Sequence, residues 1–494
     1  MAPFLNRAQQ FADRTAIIDA EGAHSFGALL TASGQVAACL LDGAVDLRGR
    51  RLALLVLPGF RHVAALLGIW RAGGIAVPLC PTHPRPELEF VLADSGADTA
   101  IVSGEFMTAM APIARGLSLR LLTTEAMITS GFCLSAERSP DDRAALILYT
   151  SGTTSKPKGV LTTHDGLQAQ IESLTTAWEW SSADRILHTL PLHHVHGLVN
   201  ALCCALWSGA ACEFLSFDAR TVWQRFVGGG HTLFMAVPTM YVKLIAAWEA
   251  ATRDEQQQWS VGASQFRLMV SGSSALPVRV LERWHELTGH ILLERYGMTE
   301  IGMALSNPLH CVRSPGLVGT PLPSVEVRLV DDAGHPVGTE EPGQLEVRGP
   351  TVFREYWNCP DATREAFRAD GWFRTGDVAQ LEPGGYRLLG RQSVDIIKTG
   401  GYKVSALEIE AVLRLHPQIN DCAVVGVPDE QWGECVGAAV VPGERAVELD
   451  ELRGWARAHL SPYKLPTRLI CVAELPRNVM GKVVKPQVAR LFIA

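Results

Sequence analysis

Ten consecutive residues, Thr150, Ser151, Gly152, Thr153, Thr154, Ser155, Lys156, Pro157, Lys158 and Gly159, hold five hydroxyls, two glycines and two lysines. No buried core needs such a run. Gly152 and Gly159 let the backbone approach a ligand closely, the hydroxyls and main-chain N–H groups can donate to phosphate oxygens, and Lys156 and Lys158 add positive charge. The chemistry is that of a polyphosphate cradle. A Walker loop would need G-x-x-x-x-G-K-[ST] running into a helix. Here the glycines stand seven apart, Pro157 interrupts, and Val160 follows the second glycine. A plain flexible linker is a poor alternative, because the segment hangs from the apolar run Ala144 to Tyr149, which reads as a buried strand.

Two more polar groups close apolar runs. Ser271, Gly272, Ser273 and Ser274 follow the strand read at Arg267 to Val270, and Gly297, Met298, Thr299 and Glu300 follow the strand read at Ile291 to Tyr296. Small-residue turns at strand ends are where open α/β sheets bind ligands. GWFRTGD delivers Asp377, and PRNVMG leads to Lys482. His193, His194 and His196 stand close together, but no Cys, Asp or Glu lies at ligand spacing to complete a metal site.

The segments YTSGTTSKPKGV, YGMTE, GWFRTGD, KTGGYK and PRNVMGK, taken in order, resemble the signatures of the adenylate-forming superfamily, which includes acyl-CoA synthetases, peptide synthetase adenylation domains and luciferases. The resemblance implies an ATP-dependent acid–thiol ligase working through an acyl-AMP. It implies that ATP lies against Thr150, Ser151, Gly152, Thr153, Thr154, Lys158, Ser273, Tyr296 and Gly297, with Asp377 and Arg391 on the ribose. Thr299 is implied at the AMP phosphate, Glu300 at Mg²⁺, and Lys482 at the reacting centre during adenylation. Gly400, Gly401, Tyr402 and Lys403 are implied on the CoA arm after the small domain rotates. LLERYGMTEIGMALSNP resembles malonyl-CoA synthetases in particular, and VFREYWN with SVDIIKTGGYKVSALE resembles their animal mitochondrial relatives. In that reading Arg295 pairs with the far carboxylate of a dicarboxylic acid, while His194 and Ser271 border the acyl pocket. A short- or medium-chain monocarboxylate CoA ligase and a carrier-protein-loading adenylation enzyme are the alternatives. A nucleotide-binding regulator without catalysis fits poorly with Lys482, Glu300 and Asp377. GRQSVDIIKTGG is one residue longer than the usual spacing, which leaves Ser393, Val394 and Asp395 all open as the hinge.

The elements that must hold these residues follow from periodicity. Arg51 to Pro58, His62 to Ala72 and Gly74 to Leu79 read as a βαβ unit, extended by a helix at Pro86 to Asp94 and a strand at Thr99 to Ser103. Short alternating strands from Gly319 to Arg391 predict a β-rich subdomain, and a helix–strand–strand–helix–strand pattern follows it. The expected fold is α/β: a large domain of parallel sheets with flanking helices and the β-rich subdomain, residues 1–391, and a small mobile α+β domain, residues 392–494. The 494 residues are 47% hydrophobic and 19% charged, with net charge −7 and a pI near 6.1, which excludes a basic nucleic-acid footprint or a polybasic membrane patch. Nowhere do eighteen apolar residues run together, and eleven scattered cysteines suit a reducing compartment. The expectation is a cytoplasmic monomer or homodimer whose partners are small molecules, with no membrane span and no nucleic acid.

Overall fold

The computed structural model describes residues 2–129, 143–150, 157–399, 402–429, 431–477 and 483–492. Among them, two large sheets carry the first part of the chain. In the seven-stranded sheet, Ala144–Thr150, Ile75–Pro78, Arg51–Leu55, Thr99–Val102 and Arg120–Thr123 run parallel. The burial of Ile75–Pro78 and Thr99–Val102 on both faces explains why they read as continuous apolar runs. At its edge the sheet turns antiparallel. Ala144–Thr150 pairs antiparallel with the next strand, Lys158–Thr163, with Thr150 opposite Lys158 and Tyr149 opposite Gly159. A Cβ at Gly159 would lie 2.9 Å from Ile147 and 3.2 Å from Trp357, so this glycine makes room for side chains packed on the hairpin.

The nine-stranded sheet has a parallel centre made of Leu293–Met298, Leu268–Ser271, Leu233–Ala236, Arg185–His188, Ala211–Phe214 and Thr15–Asp19, in that spatial order. One face packs on an aromatic core in which Trp223 stacks against Trp259 and Trp284 at 5.5 and 5.4 Å. Burying aromatic rings of this size is a large share of the apolar driving force. A four-stranded antiparallel sheet of Glu326–Val330, Gly343–Arg348, Phe373–Glu382 and Gly385–Arg391 follows, as the alternating pattern predicts. The last sheet begins at Ile396–Thr399 and joins Tyr402–Ser405, Gly433–Pro442, Ile419–Asp429 and Arg468–Cys471, with apolar clusters on both of its faces. Among the described residues no helix is long and apolar enough to cross a membrane.

Candidate active site

Residues expected from three distant stretches meet at the end of the strand Leu293–Met298. Its register slips between Tyr296 and Gly297, a bulge that re-aims the chain into the Thr299-Glu300 turn. Tyr296 is buried, and its hydroxyl donates to Asp377 Oδ2 at 2.5 Å. Burial, and then the carboxylate of Asp377, push the phenol well above its usual range, so it stays a donor. Asp377 stands directly opposite Arg391 across two antiparallel strands, and Arg391 Nε lies 3.2 Å from Asp377 Oδ1. The pairing of residues fourteen apart is thus set by strand register.

Glu300 is 6% exposed, and Oε1 accepts a 2.9 Å hydrogen bond from the Tyr356 hydroxyl. Burial pushes its carboxyl above the ordinary range. Tyr356 belongs to the short strand Glu355–Tyr356, which pairs with Lys158–Thr163, and Lys158 Nζ sits 5.0 Å from the centre of its ring. Through Tyr356, therefore, the hairpin after the hydroxyl-rich loop touches the turn that carries Glu300. Thr299 lines a small cavity with Gln170, Val195, Val199 and Thr351.

On the preceding residue of the same strand lies Arg295, 5% exposed. Its Nε and Nη2 have no hydrogen-bond partner, and no carboxylate pairs with it, among the described residues. Burial alone pushes its guanidinium down to about 10. The group lies against Gly272: a Cβ there would fall 2.3 Å from the guanidinium carbon. Ser271 Oγ, at the end of Leu268–Ser271, is buried and also without a partner among the described residues. Ser273 adopts a left-handed backbone at φ 70 and its Oγ lies 3.2 Å from His196 Nδ1. His196 opens a fully buried π-helix, His196–Cys203, and its Nε2 is left over. Burial and then the charge of Arg295 hold it well below the ordinary imidazole range, so it is neutral.

The arrangement is a buried cluster with unspent donors, Arg295, Ser271 and His196, next to a second group, Tyr296, Asp377 and Arg391, whose polar atoms already bond one another. A buried, positive, donor-rich cluster suits a carboxylate. The His194 ring lies tilted beside that of His193 at 4.3 Å, two residues before His196. Tyr402 stands apart on the last sheet, 54% exposed and stacked on Tyr463 at 4.3 Å. Ser151, Gly152, Thr153, Thr154, Gly400, Gly401 and Lys482 lie outside the described residues, as does the side chain of Lys403. Sequence reasoning missed Tyr356 and His196. A tyrosine within the YWN segment and a third histidine in a cluster were visible, but nothing local said what either would touch.

Residues 4–357 match the family of AMP-binding enzymes, and residues 408–482 match the C-terminal domain of AMP-binding enzymes. The mitochondrial malonate–CoA ligase of Bos taurus is 46% identical, over 99% of this chain and 90% of its own length. The ATP-bound crystal structure of MatB from Rhodopseudomonas palustris is 32% identical and overlays with a TM-score of 0.90, covering 99% of each chain. A malonyl-CoA ligase in a ternary product complex with methylmalonyl-CoA and AMP is 35% identical, covers 94% of this chain and 97% of its own, and overlays at 0.70.

Proposed function

The chain belongs to the family of AMP-binding enzymes, and from that premise we propose that it joins malonate, or methylmalonate, to CoA in an ATP-dependent reaction through an acyl-AMP. The observation that carries the choice of acid is Arg295, a buried guanidinium whose Nε and Nη2 have no partner among the described residues. The far carboxylate of malonate pairs with it, Ser271 and His196 border the acyl pocket, and His194 lies on the same side. The near carboxylate is then directed at the turn holding Thr299.

A carboxylate is a poor electrophile and ATP repels it, so the site must neutralise the triphosphate and hold oxygen and α-phosphorus in line. Thr150, Ser151, Gly152, Thr153, Thr154 and Lys158 cradle the phosphates; Ser273, Tyr296 and Gly297 border the nucleotide; Asp377 and Arg391 take the ribose. Glu300 is a hard oxygen donor, and no cluster of three ligating side chains occurs among the described residues, which suits Mg²⁺, an ion that binds through one or two carboxylates, water and substrate phosphates. When bound it supplies charge neutralisation at the triphosphate. Lys482 completes the adenylation site from residues 392–494. That unit then rotates against residues 1–391, bringing Gly400, Gly401, Tyr402 and Lys403 to the thiol path. The better overlay on an ATP-bound relative than on a more identical product complex supports two arrangements of this kind. A cytoplasmic site of action is part of the same reading, supported by free cysteines in the described residues; the bovine relative is mitochondrial, and imaging the tagged protein in its own cells separates the two.

The test is pyrophosphate release and thioester formation with malonate, methylmalonate, succinate and butyrate, with and without CoA. Malonate with CoA should give the highest kcat/KM. Preference for butyrate would overturn the choice of acid, and acyl-AMP that CoA cannot discharge would point to a carrier protein.

A further inference from the structure

Asp395 lies between the strand Gly385–Arg391 and the first strand of the last sheet, Ile396–Thr399. Its carboxylate is buried. Oδ2 accepts from the Arg391 main-chain N–H at 2.9 Å, and Oδ1 lies 2.6 Å from Lys485 Nζ. Lys485, whose side chain is 10% exposed, also stands 2.8 Å from Glu410 Oε1. The contacts continue: Glu410 Oε2 lies 3.3 Å from Arg414, Arg414 Nε lies 3.4 Å from Asp421 Oδ1, and Asp421 Oδ2 bonds Arg477. Asp395, Lys485, Glu410, Arg414, Asp421 and Arg477 thus form a neutral chain of alternating charges. It crosses the small domain from the segment beside Arg391 to the stretch before Lys482.

Two of its basic members, Arg477 and Lys485, flank residues 478–482 in the chain. Arg477 and Val483 form a β-bridge, and Val484 N donates to Pro476 O at 2.8 Å, so the two flanks are held together. Lys482 is the last residue between them. Arg477 is tied down before this stretch and Lys485 after it, both to the same chain of charges. Stability alone is a weak account of such a chain, since a buried ion pair seldom outdoes well-packed apolar residues of equal volume. Placement is the better account: a lysine that must meet a transferring phosphoryl group needs its base fixed to a fraction of an ångström.

We propose that this chain of charges fixes the two flanks of residues 478–482 against the segment next to Arg391, which makes Lys485 a positioning residue for the adenylation half-reaction. The inference rests on the reading of Lys482 as the adenylation lysine. Lys485 touches no substrate. It ties helix Lys485–Arg490 to Asp395 and to helix Ala406–Leu413, and so sets where the chain re-enters at Val483.

The experiment measures both half-reactions, acyl-AMP formation from malonate and ATP without CoA, and thioester formation from supplied malonyl-AMP and CoA. Wild type, Lys485→Met, Lys485→Arg and Lys482→Ala are compared, each first shown to be folded by thermal melting. Lys485→Met should slow acyl-AMP formation by about tenfold or more and change thioester formation by less than about threefold, with Lys485→Arg recovering most of the loss. If Lys485→Met does not fold, Glu410→Gln, which removes the other carboxylate that holds Lys485, should show the same split at smaller size. An equal fall in both half-reactions, or an unchanged first one, overturns the brace. Should Lys482→Ala retain acyl-AMP formation, the reading of Lys482 itself fails; should it lose that activity while Lys485→Met keeps it, only the brace fails.

Discussion

Arg295 and Tyr296 are neighbours on one strand, and the two sides they face are organised in opposite ways. Tyr296 closes a set in which Asp377 and Arg391 already satisfy one another. Arg295 is buried with its Nε and Nη2 unanswered among the described residues. A ribose arriving at the first side exchanges one set of hydrogen bonds for another, so little is gained beyond orientation. A carboxylate arriving at the second side relieves a strained charge: lowering a guanidinium from 12.5 to about 10 corresponds to roughly 3 kcal/mol against the charged form. On the proposed reading the nucleotide side orients, and the acid side selects.

Substituting Arg295 gives the largest effect. Leaving one member of a buried pair alone costs about 2 to 5 kcal/mol, so Arg295→Leu should lower kcat/KM for malonate roughly thirtyfold to several thousandfold while raising that for butyrate. The same substitution should leave the unliganded protein as stable or more so, because burial depresses the guanidinium pKa and so destabilises the fold at every pH below that value. The stabilisation that malonate gives wild type on melting should vanish. A loss equal for both acids, or a melting temperature several degrees lower without ligand, would remove the contrast.

Asp377→Asn tests the other side and should act less strongly. A charge-assisted contact is worth about 1.5 to 3 kcal/mol, so kcat/KM for ATP should fall roughly ten- to a hundredfold. The ratio of malonate to butyrate activity should not move, and a shift in that ratio would show the two sides to be coupled.

The smallest change is expected from Tyr356→Phe, which removes a single hydroxyl from Glu300. One hydrogen bond is worth about 1 kcal/mol, or roughly fivefold. The loss should appear in the Mg²⁺ concentration needed for ATP binding, followed by calorimetry, and not in the choice of acid. An unchanged Mg²⁺ requirement would leave Tyr356 as a packing residue between hairpin and turn.

These residues differ in how readily the chain reveals them. The strand ends at Ser271 and Tyr296 are legible because an apolar run stopping at glycine and small polar residues is a local pattern. Arg295 is legible only through resemblance, since a strand arginine looks the same whether or not an acid answers it. Tyr356 and Glu300 are 56 residues apart, one on a short edge strand and the other in a turn, so no window of sequence contains their bond. That His196 meets Ser273 is likewise a contact between stretches 77 residues apart, which three neighbouring histidines do not reveal. The antiparallel return after Thr150 escaped for a similar reason, because the pairing partner of a strand is a tertiary fact.

The π-helix His196–Cys203 carries one more residue per turn than strand and helix on either side require. Deleting a single codon within it would let the segment take α-helical winding up to helix Cys204–Ser208, and the strain of the shortened chain would fall on the residues before it, His196 and its contact with Ser273 among them. A change of length alone could therefore disturb the group of donors around Arg295 without altering any of their side chains. Surveys that score only substitutions in aligned columns would pass over such a change as a gap.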